Sequence, residues 1–242
     1  MRLDVSHRPR ADRSNSSNKS AIYFASFVGT PFAIRYGQSP TRPRPMTLNR
    51  TALILIGYQN DYFAPDGILH PVIEEAARVG GVLGNTLGLL ERLGDRFAQV
   101  VSTPINFSPD YRELEKPVGI LKTIEEVGAF QAGRPGSRTI DQLKPYEAII
   151  TEIPGKRGLN AFSNTNLEKT LRRGGIDHVV LAGAVTSICI DSTGRHAADL
   201  GFAVTVLSDC TTGRTVFEQE YYCENVFPLY ATVMASSELS AG

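Results

Sequence analysis

The stretch HVVLAGAVTSICIDSTGRHAADLGFAVTVLS (178–208) decides the fold, because it reads as a buried strand, a helix and a second buried strand. Its apolar runs, 178–184 and 202–208, are short, continuous and rich in β-branched residues, which is typical of strands covered on both faces of a parallel sheet. A strand, helix and strand in this order form a right-handed βαβ crossover. The sequence therefore predicts an α/β protein whose functional groups lie at the carboxyl ends of its strands.

The same alternation of strand and helix patterns begins at Thr51. Further strands are predicted at 51–57, 97–103 and 147–153, and helical patterns at 72–94, 164–173, 187–200 and 215–234. We therefore expect a three-layer, Rossmann-like domain over 46–242, with a mostly parallel β-sheet and helices on both faces. The stretch 106–142 breaks the alternation with prolines and glycines, and we interpret it as an insertion or lid.

The charge distribution limits the partners of the chain. The 242 residues hold 25 Lys or Arg and 25 Asp or Glu, but eight of the basic residues and only two of the acidic ones lie in 1–45. The remainder carries a net charge of about −6, which disfavours nucleic acid as a partner. Residues 1–45 contain no run that could span a bilayer, so no membrane partner is expected.

Residues 1–45 are polar at first and end in a Pro/Arg linker. We expect a disordered or upstream extension, with Met46 as the working start of the protein. A basic stretch followed by a few apolar residues also resembles a weak secretory or organellar targeting segment, which is the alternative.

The chain has three cysteines, an odd number, with no disulfide spacing and no CxxC pair. They are Cys189, Cys210 and Cys223. This pattern predicts a reducing, cytoplasmic setting and leaves each of them free to act as a thiol. No Cys or His spacing supports a metal site, and we expect neither a metal nor another cofactor.

Two residues are the first candidates for chemistry. Cys189 follows the strand 178–184 at the opening turn of a helix, where the helix dipole and unpaired N–H groups favour a thiolate and could hold an oxyanion. Lys156 lies in a Pro/Gly turn just beyond the strand 147–153. The alternatives are a packing cysteine and an ordinary surface lysine.

Three segments together resemble the isochorismatase-like cysteine hydrolases, the family of nicotinamidases, N-carbamoylsarcosine amidohydrolases and ureidoacrylate amidohydrolases. The segments are ALILIGYQNDYFAPDGIL (52–69), EIPGKRGLNAFSNTNLEKTL (152–171) and LAGAVTSICIDSTGRHAADLG (181–201). The resemblance covers about 51–234. It is most specific around Cys189 and where Lys156 precedes an Asn-Ala-Phe triplet by four residues.

The resemblance implies a parallel-sheet hydrolase with Asp, Lys and Cys at three strand ends. By that resemblance Cys189 is the nucleophile and Lys156 the lysine. Val185 and Thr186 are the expected cis peptide, which would aim backbone N–H groups at the substrate oxygen.

The family's aspartate has no counterpart in this chain. Family members read hydrophobic-Asp-Met/Val-Gln-Asn-Asp-Phe at the end of the first strand, whereas this chain reads IGYQNDYF (56–63) and places Gly57 at the aspartate's position. Lys156 itself, Glu152, Asp61 and Tyr58 are candidates for a replacement proton shuttle, with structural roles as the alternative. The Asp-x-His metal arrangement of the nicotinamidases is also missing at TPINFS (103–108), so we expect no metal and no nicotinamidase activity.

We therefore expect a cysteine-dependent hydrolase of a C–N bond in a small amide or carbamoyl substrate, acting through a thioester acyl-enzyme, and slow or with an altered proton shuttle. The alternative is a catalytically silent family member that binds a metabolite or a protein partner. A nucleotide-binding oxidoreductase is disfavoured, because no GxGxxG follows the first strand.

Two further expectations rest on position and composition. The side chains expected to contact the substrate are Tyr58, Phe63, Asn106 and Phe162. The aromatic, weakly charged helix predicted at 215–234 has more apolar surface than one sheet face needs, so we expect a homo-oligomer that forms through this helix or through 106–142.

Overall fold

The computed structural model describes residues 46–240, and the extension expected over 1–45 lies outside the described residues. Within the described range, no helix is long and apolar enough to cross a membrane.

A single parallel sheet of six strands forms the centre of the molecule. The strands are β1 (Thr51–Ile56), β2 (Gln99–Ser102), β3 (Ile150–Glu152), β4 (His178–Ala184), β5 (Ala203–Thr212) and β6 (Thr232–Met234). Their order is β3-β2-β1-β4-β5-β6, and every pair is parallel. After β3 the chain crosses to the other side of β1, so the order reverses between β1 and β4. Ligands in such sheets bind outside the carboxyl ends of the strands at this reversal.

Helices cover both faces of the sheet, which confirms the predicted α/β architecture. They are α1 (Asn60–Phe63), α2 (Glu74–Gly80), α3 (Val82–Leu93), α4 (Ile120–Val127), α5 (Leu167–Arg173), α6 (Asp191–Asp199) and α7 (Val216–Tyr221). Alternate residues of β1 point to opposite faces: Leu53 and Leu55 pack in the core with α3, whereas Ile54 and Ile56 pack in the core with α5 and α6. All six residues of β1 are buried, as expected for the central strand of a three-layer fold.

Two of the predicted helices differ from the structure. The pattern over 72–94 divides at Gly81, whose φ of +62° ends α2. The helix predicted at 215–234 is helical up to Leu229, as α7 followed by a π-helical turn (Tyr222–Val226) and a 3-10 turn (Phe227–Leu229), but residues 232–234 form β6, which pairs with β5. An apolar, aromatic run is compatible with a helix or with a strand, so composition alone could not separate the two.

The stretch 106–142, called the cap segment below, contains α4 and short 3-10 turns. Phe107, Ile124 and Phe130 of this segment share a third hydrophobic cluster with Ala184 and Val185, at the end of β4. We call this cluster the cap core. The cap segment therefore covers the edge of the sheet where parallel strands place their functional groups.

The side chain of Gln59, just after β1, fastens the cap segment to the sheet. Its Nε2 donates to the carbonyl oxygens of Ile105 and Ser137, both at 2.7 Å, and its Oε1 accepts from the Ile105 N–H at 2.8 Å. Gln59 is fully buried, so these three bonds replace water that cannot reach the groups.

The next two residues hold the same segment. Asn60 donates from Nδ2 to the carbonyl of Pro135 at 2.9 Å, and the Asp61 carboxylate accepts from the Phe130 N–H at 2.6 Å. The Gln-Asn-Asp sequence after β1 is thus a structural clamp for the cap segment.

Replacing Gln59 with Leu should destabilise the protein by about 3 kcal/mol or more, because it leaves the buried N–H and C=O of Ile105 and the C=O of Ser137 without partners. Urea unfolding would measure the loss. Asn60→Ala is the matched control: its lost bond is exposed, and it should cost under ~1 kcal/mol. Equal losses in the two variants would contradict the role given to Gln59.

Candidate active site

Cys189 lies in a tight turn directly after β4. A π-helical turn over Thr186–Ile190 leads into α6, so the sulfur sits near the amino end of a helix, as the sequence predicts. Only 4% of the residue is exposed. The position combines a buried thiol with the positive end of a helix dipole.

Lys156 brings an ammonium group to this thiol. Its backbone pairs with Ile105 in a parallel bridge beyond β3, which extends the edge of the sheet and directs the side chain inward. The Nζ atom lies 3.4 Å from Cys189 Sγ, and it also donates to the Gly158 carbonyl. Lys156 is 1% exposed, so the surface-lysine interpretation does not hold. A buried ammonium needs hydrogen-bond partners, and here these are the Cys189 sulfur and the Gly158 carbonyl oxygen.

The two other cysteines are free thiols in different surroundings. Burial raises the pKa of the Cys210 thiol to about 12 and that of Cys223 to about 11. Both therefore stay protonated at neutral pH. Among the three cysteines, Cys189 is the one with a hydrogen bond from an ammonium group.

The cis peptide bond is one residue earlier than expected. It joins Ala184 to Val185, not Val185 to Thr186. Neither bond precedes a proline, so nothing in the residues distinguishes adjacent peptide bonds, and the expected position rested on the family spacing alone. The Thr186 side chain instead donates to Gln219 of α7.

Gly57, at the position where the sequence resemblance predicts an aspartate, sits at the end of β1 against β4. Its φ is +75°, and a Cβ built on it would lie 2.8 Å from the Ala184 carbonyl oxygen. The positive φ would strain any residue with a Cβ, and the Ala184 carbonyl leaves no room for one. The end of β1 therefore supplies no carboxylate to the site, and its backbone conformation requires glycine.

Of the four candidates for a replacement proton shuttle, all except Lys156 make their contacts away from the Cys189 sulfur. Glu152 is exposed and lines a cavity of about 400 Å³ beside the β3 edge. The Asp61 carboxylate accepts from Phe130 N–H in the clamp described above. The Tyr58 hydroxyl bonds to Thr86 of α3 at 2.6 Å, within the core on the opposite face of the sheet from Cys189.

The residues expected to contact substrate are also separated. Phe63 stacks on Tyr58 with ring centres 4.9 Å apart, and Asn106 is exposed on the surface. Phe162 packs between His196 and Phe202 in the core that contains Cys189. Of these expected contacts, only Phe162 shares a cluster with the thiol.

Tyr62, which the sequence analysis does not single out, lies beside Gly57. Its Cδ2 lies 3.5 Å from the point where a Cβ of residue 57 would be, and the residue is 2% exposed. Burial raises the pKa of the Tyr62 hydroxyl, and the nearby charges of Cys189 and Asp61 raise it further. The sequence resemblance gives one signal for this residue, because it predicts phenylalanine after Gln-Asn-Asp and the chain has Tyr62 there.

Two cavities flank the turn that carries Cys189. One of about 410 Å³ is lined by Gly158 and Ser192, among others, and one of about 650 Å³ by Ser187 and Tyr222, among others. Cys189 itself lines neither of these two cavities. Within residues 46–240, no group of three or more His, Cys, Asp or Glu side chains is arranged to hold a metal ion.

Comparisons with known proteins agree with this fold. The isochorismatase domain model matches residues 51–238. The ureidoacrylate amidohydrolase RutB of Caulobacter segnis is 29% identical over 196 residues, covering 75% of this chain and 81% of that protein. An isochorismatase family protein, YecD, of Escherichia coli O157:H7 is 36% identical over 190 residues, covering 78% and 94%. The crystal structure of a cysteine hydrolase from Pseudomonas syringae pv. phaseolicola has the same fold, with a TM-score of 0.69 at 19% identity, covering 83% of this chain and 95% of that one.

Restoring a side chain at Gly57 should destabilise the fold. Gly57→Ala and Gly57→Asp both meet the Ala184 carbonyl, and we expect each to cost about 1–3 kcal/mol beyond the penalty of the left-handed backbone. Gly128→Ala is the matched control, since Gly128 has a φ of +74° but no atom within 4 Å of a built Cβ. Thermal unfolding of the three variants measures the difference, and equal losses would contradict the close approach at Gly57.

Proposed function

We propose a function from the premise that this chain belongs to the isochorismatase family, whose domain model spans nearly all of the described residues. The resemblance seen in the sequence is thereby confirmed, and the chain is a hydrolase of that family. The proposal is a cysteine-dependent hydrolase that cleaves a C–N bond in a small amide or carbamoyl compound. The single observation that carries it is the 3.4 Å contact between the Lys156 ammonium and the Cys189 sulfur.

The first half of the reaction forms a thioester. The Cys189 thiolate attacks the substrate carbonyl carbon, a C–S bond forms, and the carbonyl electron pair moves to oxygen, where N–H groups of the turn 186–190 hold it. When the C–N bond breaks, the departing nitrogen takes a proton from the Lys156 ammonium. The amine leaves, and the acyl group stays on sulfur.

The second half uses water. Water attacks the thioester carbonyl and gives one proton to the neutral Lys156 amine, and the C–S bond breaks to release the acid and restore the Cys189 thiolate. One amide and one water thus become one acid and one amine. Lys156 moves the proton in both halves because no carboxylate from position 57 is present.

The missing carboxylate has a kinetic consequence. General acid–base help is worth about 10² to 10⁴ in rate, and an ammonium is ordinarily a weaker acid than a carboxylic acid by about six pKa units. The enzyme is therefore slow on ordinary amides, or its substrate has a nitrogen that leaves readily, such as one whose lone pair is delocalised into a vinyl or carbonyl group. Ureidoacrylate, the substrate in the name of the Caulobacter relative, has such a nitrogen and is the first compound to test.

A catalytically silent family member is the second candidate. Gly57 and the coverage of the thiol favour it, since Cys189 and Lys156 are 4% and 1% exposed. In that case the site binds a metabolite, or the surface binds a protein partner, without turnover.

A panel of amide, ureido and carbamoyl compounds separates the two candidates. With wild-type protein we expect hydrolysis and an acyl adduct on Cys189 in intact mass spectra. Cys189→Ala should abolish both, and Lys156→Met should lower kcat/KM by at least about 10²-fold. Cys210→Ala is the matched control and should keep the activity of the wild type. No turnover and no adduct with any compound would favour the silent member.

We also propose a homo-oligomer in a cytoplasmic, reducing setting, the latter supported by three cysteines that are all free thiols. The surface that supports oligomerisation lies on α7 and the turns that follow it. Phe217 and Leu229 are 75% and 77% exposed, and Phe217 stacks on the half-exposed Tyr221. Val118, in the cap segment, is 78% exposed and marks the alternative surface.

Sedimentation velocity at micromolar concentration tests the oligomer. We expect the wild type to sediment as a dimer or larger species, and Phe217→Ser combined with Leu229→Ser to shift it to a monomer with an unchanged melting temperature. Val118→Ser should leave the assembly intact. A monomeric wild type would refute the proposal, and dissociation by Val118→Ser alone would move the interface to the cap segment.

A further inference from the structure

A bulge in β5 lies beside the end of β4, the strand that leads into the turn with Cys189. Leu181 of β4 pairs with Val206 of β5, but Gly183, only two residues later, pairs with Thr211. Four residues of β5, 207–210, therefore stand opposite a single residue of β4, and the ladder between the two strands is interrupted there. β-bulges are frequent next to functional sites, where they change the direction of a strand.

Each of the four carbonyl groups of this bulge accepts a hydrogen bond from a side chain. The donors are the Thr211 hydroxyl to Leu207 (2.9 Å), Gln219 Nε2 to Ser208 (3.0 Å), Asn85 Nδ2 to Asp209 (2.9 Å) and the Tyr58 hydroxyl to Cys210 (3.2 Å). Side chains thus bind the backbone where the ladder between β4 and β5 is interrupted. The bulge is therefore a fixed part of the fold, to which another segment can be attached.

Gln219 of α7 joins this bulge to the turn that carries Cys189. Its Oε1 accepts from the Thr186 hydroxyl, and its Nε2 donates to the Ser208 carbonyl oxygen and to Thr211 Oγ1, both at 3.0 Å. A carbonyl oxygen can only accept, so the Ser208 carbonyl fixes the orientation of the amide and leaves Oε1 for Thr186. One side chain therefore connects β5 to the first residue of the Cys189 turn.

The helix that carries Gln219 is itself held at its start. Thr215 Oγ1 accepts from the Glu218 N–H at 3.0 Å, and Arg214 Nε donates to the Glu218 carboxylate at 2.7 Å. Cys223, four residues after Gln219, provides a further acceptor for Nε2 at 3.3 Å. The Gln219 amide is thus presented from a fixed position, and a contact with it can fix another segment.

Thr186 is fully buried and begins the turn that carries Cys189. In this turn the Val185 carbonyl accepts from the N–H groups of Ile188 at 3.0 Å and of Ile190 at 3.2 Å. These two N–H groups are occupied, so the remaining N–H groups of the turn are the ones left to hold a substrate oxygen. Their direction, and the position of the sulfur, depend on where Thr186 is held.

We propose that Gln219 is a positioning residue of the active site. Its bond to Thr186 holds the turn so that the Cys189 sulfur stays in contact with Lys156 and the remaining N–H groups of the turn point to the substrate oxygen. The inference rests on the proposed function, since it assigns a support to the same thiol. Gln219 acts through Thr186 and contributes no reacting atom of its own.

Gln219→Met and Thr186→Val test the proposal, because they remove the bond from its two ends and change the side-chain volume little. The first measurement does not depend on activity: amide hydrogen exchange, followed by mass spectrometry in the peptide that contains 185–190. We expect exchange there to be about tenfold faster in both variants, because the turn opens more readily once its bond to α7 is lost. Thr186→Ser keeps the hydroxyl and should retain the wild-type exchange rate.

The Cys189 thiol reports the functional consequence. Its rate of iodoacetamide alkylation against pH should have a midpoint higher by about 0.5 pH unit or more in Gln219→Met and Thr186→Val, since a displaced turn weakens the contact between the sulfur and Lys156. Alkylation is then about threefold slower at pH values below both midpoints. On any substrate found in the panel, kcat should fall while KM changes little, because the N–H groups of the turn act on the transition state.

Asn85→Leu is the matched control. Asn85 of α3 binds the Asp209 carbonyl of the same bulge at 2.9 Å, and its other bond is to Gly80. Its loss should therefore lower the melting temperature without changing the exchange at 185–190 or the alkylation midpoint. Equal changes in this control and in Gln219→Met would overturn the inference as a general effect of the bulge.

Two other results would overturn the inference and leave the proposed function standing. One is unchanged exchange at 185–190 in Gln219→Met and Thr186→Val. The other is faster exchange with the alkylation midpoint and kcat of the wild type, because the bond would then support the fold and not the reaction.

The failure of the proposed function has a different signature. It appears in the wild type itself, as an alkylation midpoint near the value of a free cysteine, about 8.5, together with no acyl adduct. The exchange measurement still decides in that case whether Gln219 holds the turn. A low wild-type midpoint that rises in Gln219→Met and Thr186→Val, but not in Asn85→Leu, supports the inference.

Discussion

The contact between a buried ammonium and a buried sulfur is the constraint on which the rest of the site depends. Moving Lys156 out of water costs several kcal/mol, and only a counter-charge with good geometry compensates for it. The Gly158 carbonyl supplies one partner and Cys189 the other. In the proposed function a thiolate at this place has two roles, because it stabilises the buried lysine and attacks the substrate carbonyl.

The sheet topology brings these two residues together from distant parts of the chain. Lys156 follows β3 and Cys189 follows β4, on opposite sides of the central strand β1. The bridge between Lys156 and Ile105 extends the sheet toward the site, and Gln59 binds Ile105 from the end of β1. The same glutamine holds the cap segment, so the cover of the site and the placement of its lysine share one set of backbone hydrogen bonds.

The sequence predicts the parts of this site that follow from simple periodicity. Long apolar runs identify five of the six strands, and a polar residue just beyond such a run lies at the carboxyl edge of a parallel sheet, which is how Lys156 and Cys189 are found. Two things cannot be read this way. β6 is only three residues long, which is too short for a recognisable pattern. The cis peptide bond before Val185 does not precede a proline, so no residue type predicts it.

The directions of the side chains after β1 are a third feature that the sequence does not predict. All of these errors have one physical cause. Beyond Ile56 the alternation of a strand predicts which face each residue joins, but the φ of +75° at Gly57 breaks that alternation. Tyr58 consequently packs with α3, Asp61 turns to the cap segment, and Tyr62 comes to lie beside the glycine. Their position after a strand predicts that all of these residues lie near the site. It does not predict which of their side chains point toward it.

The glycine that redirects these residues also decides the charge of the site. A member with aspartate at this position would have two acidic groups and one basic group, whereas Cys189 and Lys156 here form a neutral pair. An additional carboxylate would compete with the thiolate for the single ammonium, and its absence leaves the whole of that charge to sulfur. In the proposed function this arrangement stabilises the thiolate but slows proton transfer, because the same ammonium must also give a proton to the leaving nitrogen. Under the proposed function this balance favours substrates that need a good nucleophile and little acid, so the nitrogen of the leaving group, more than the acyl group, is the part of the substrate expected to decide the rate.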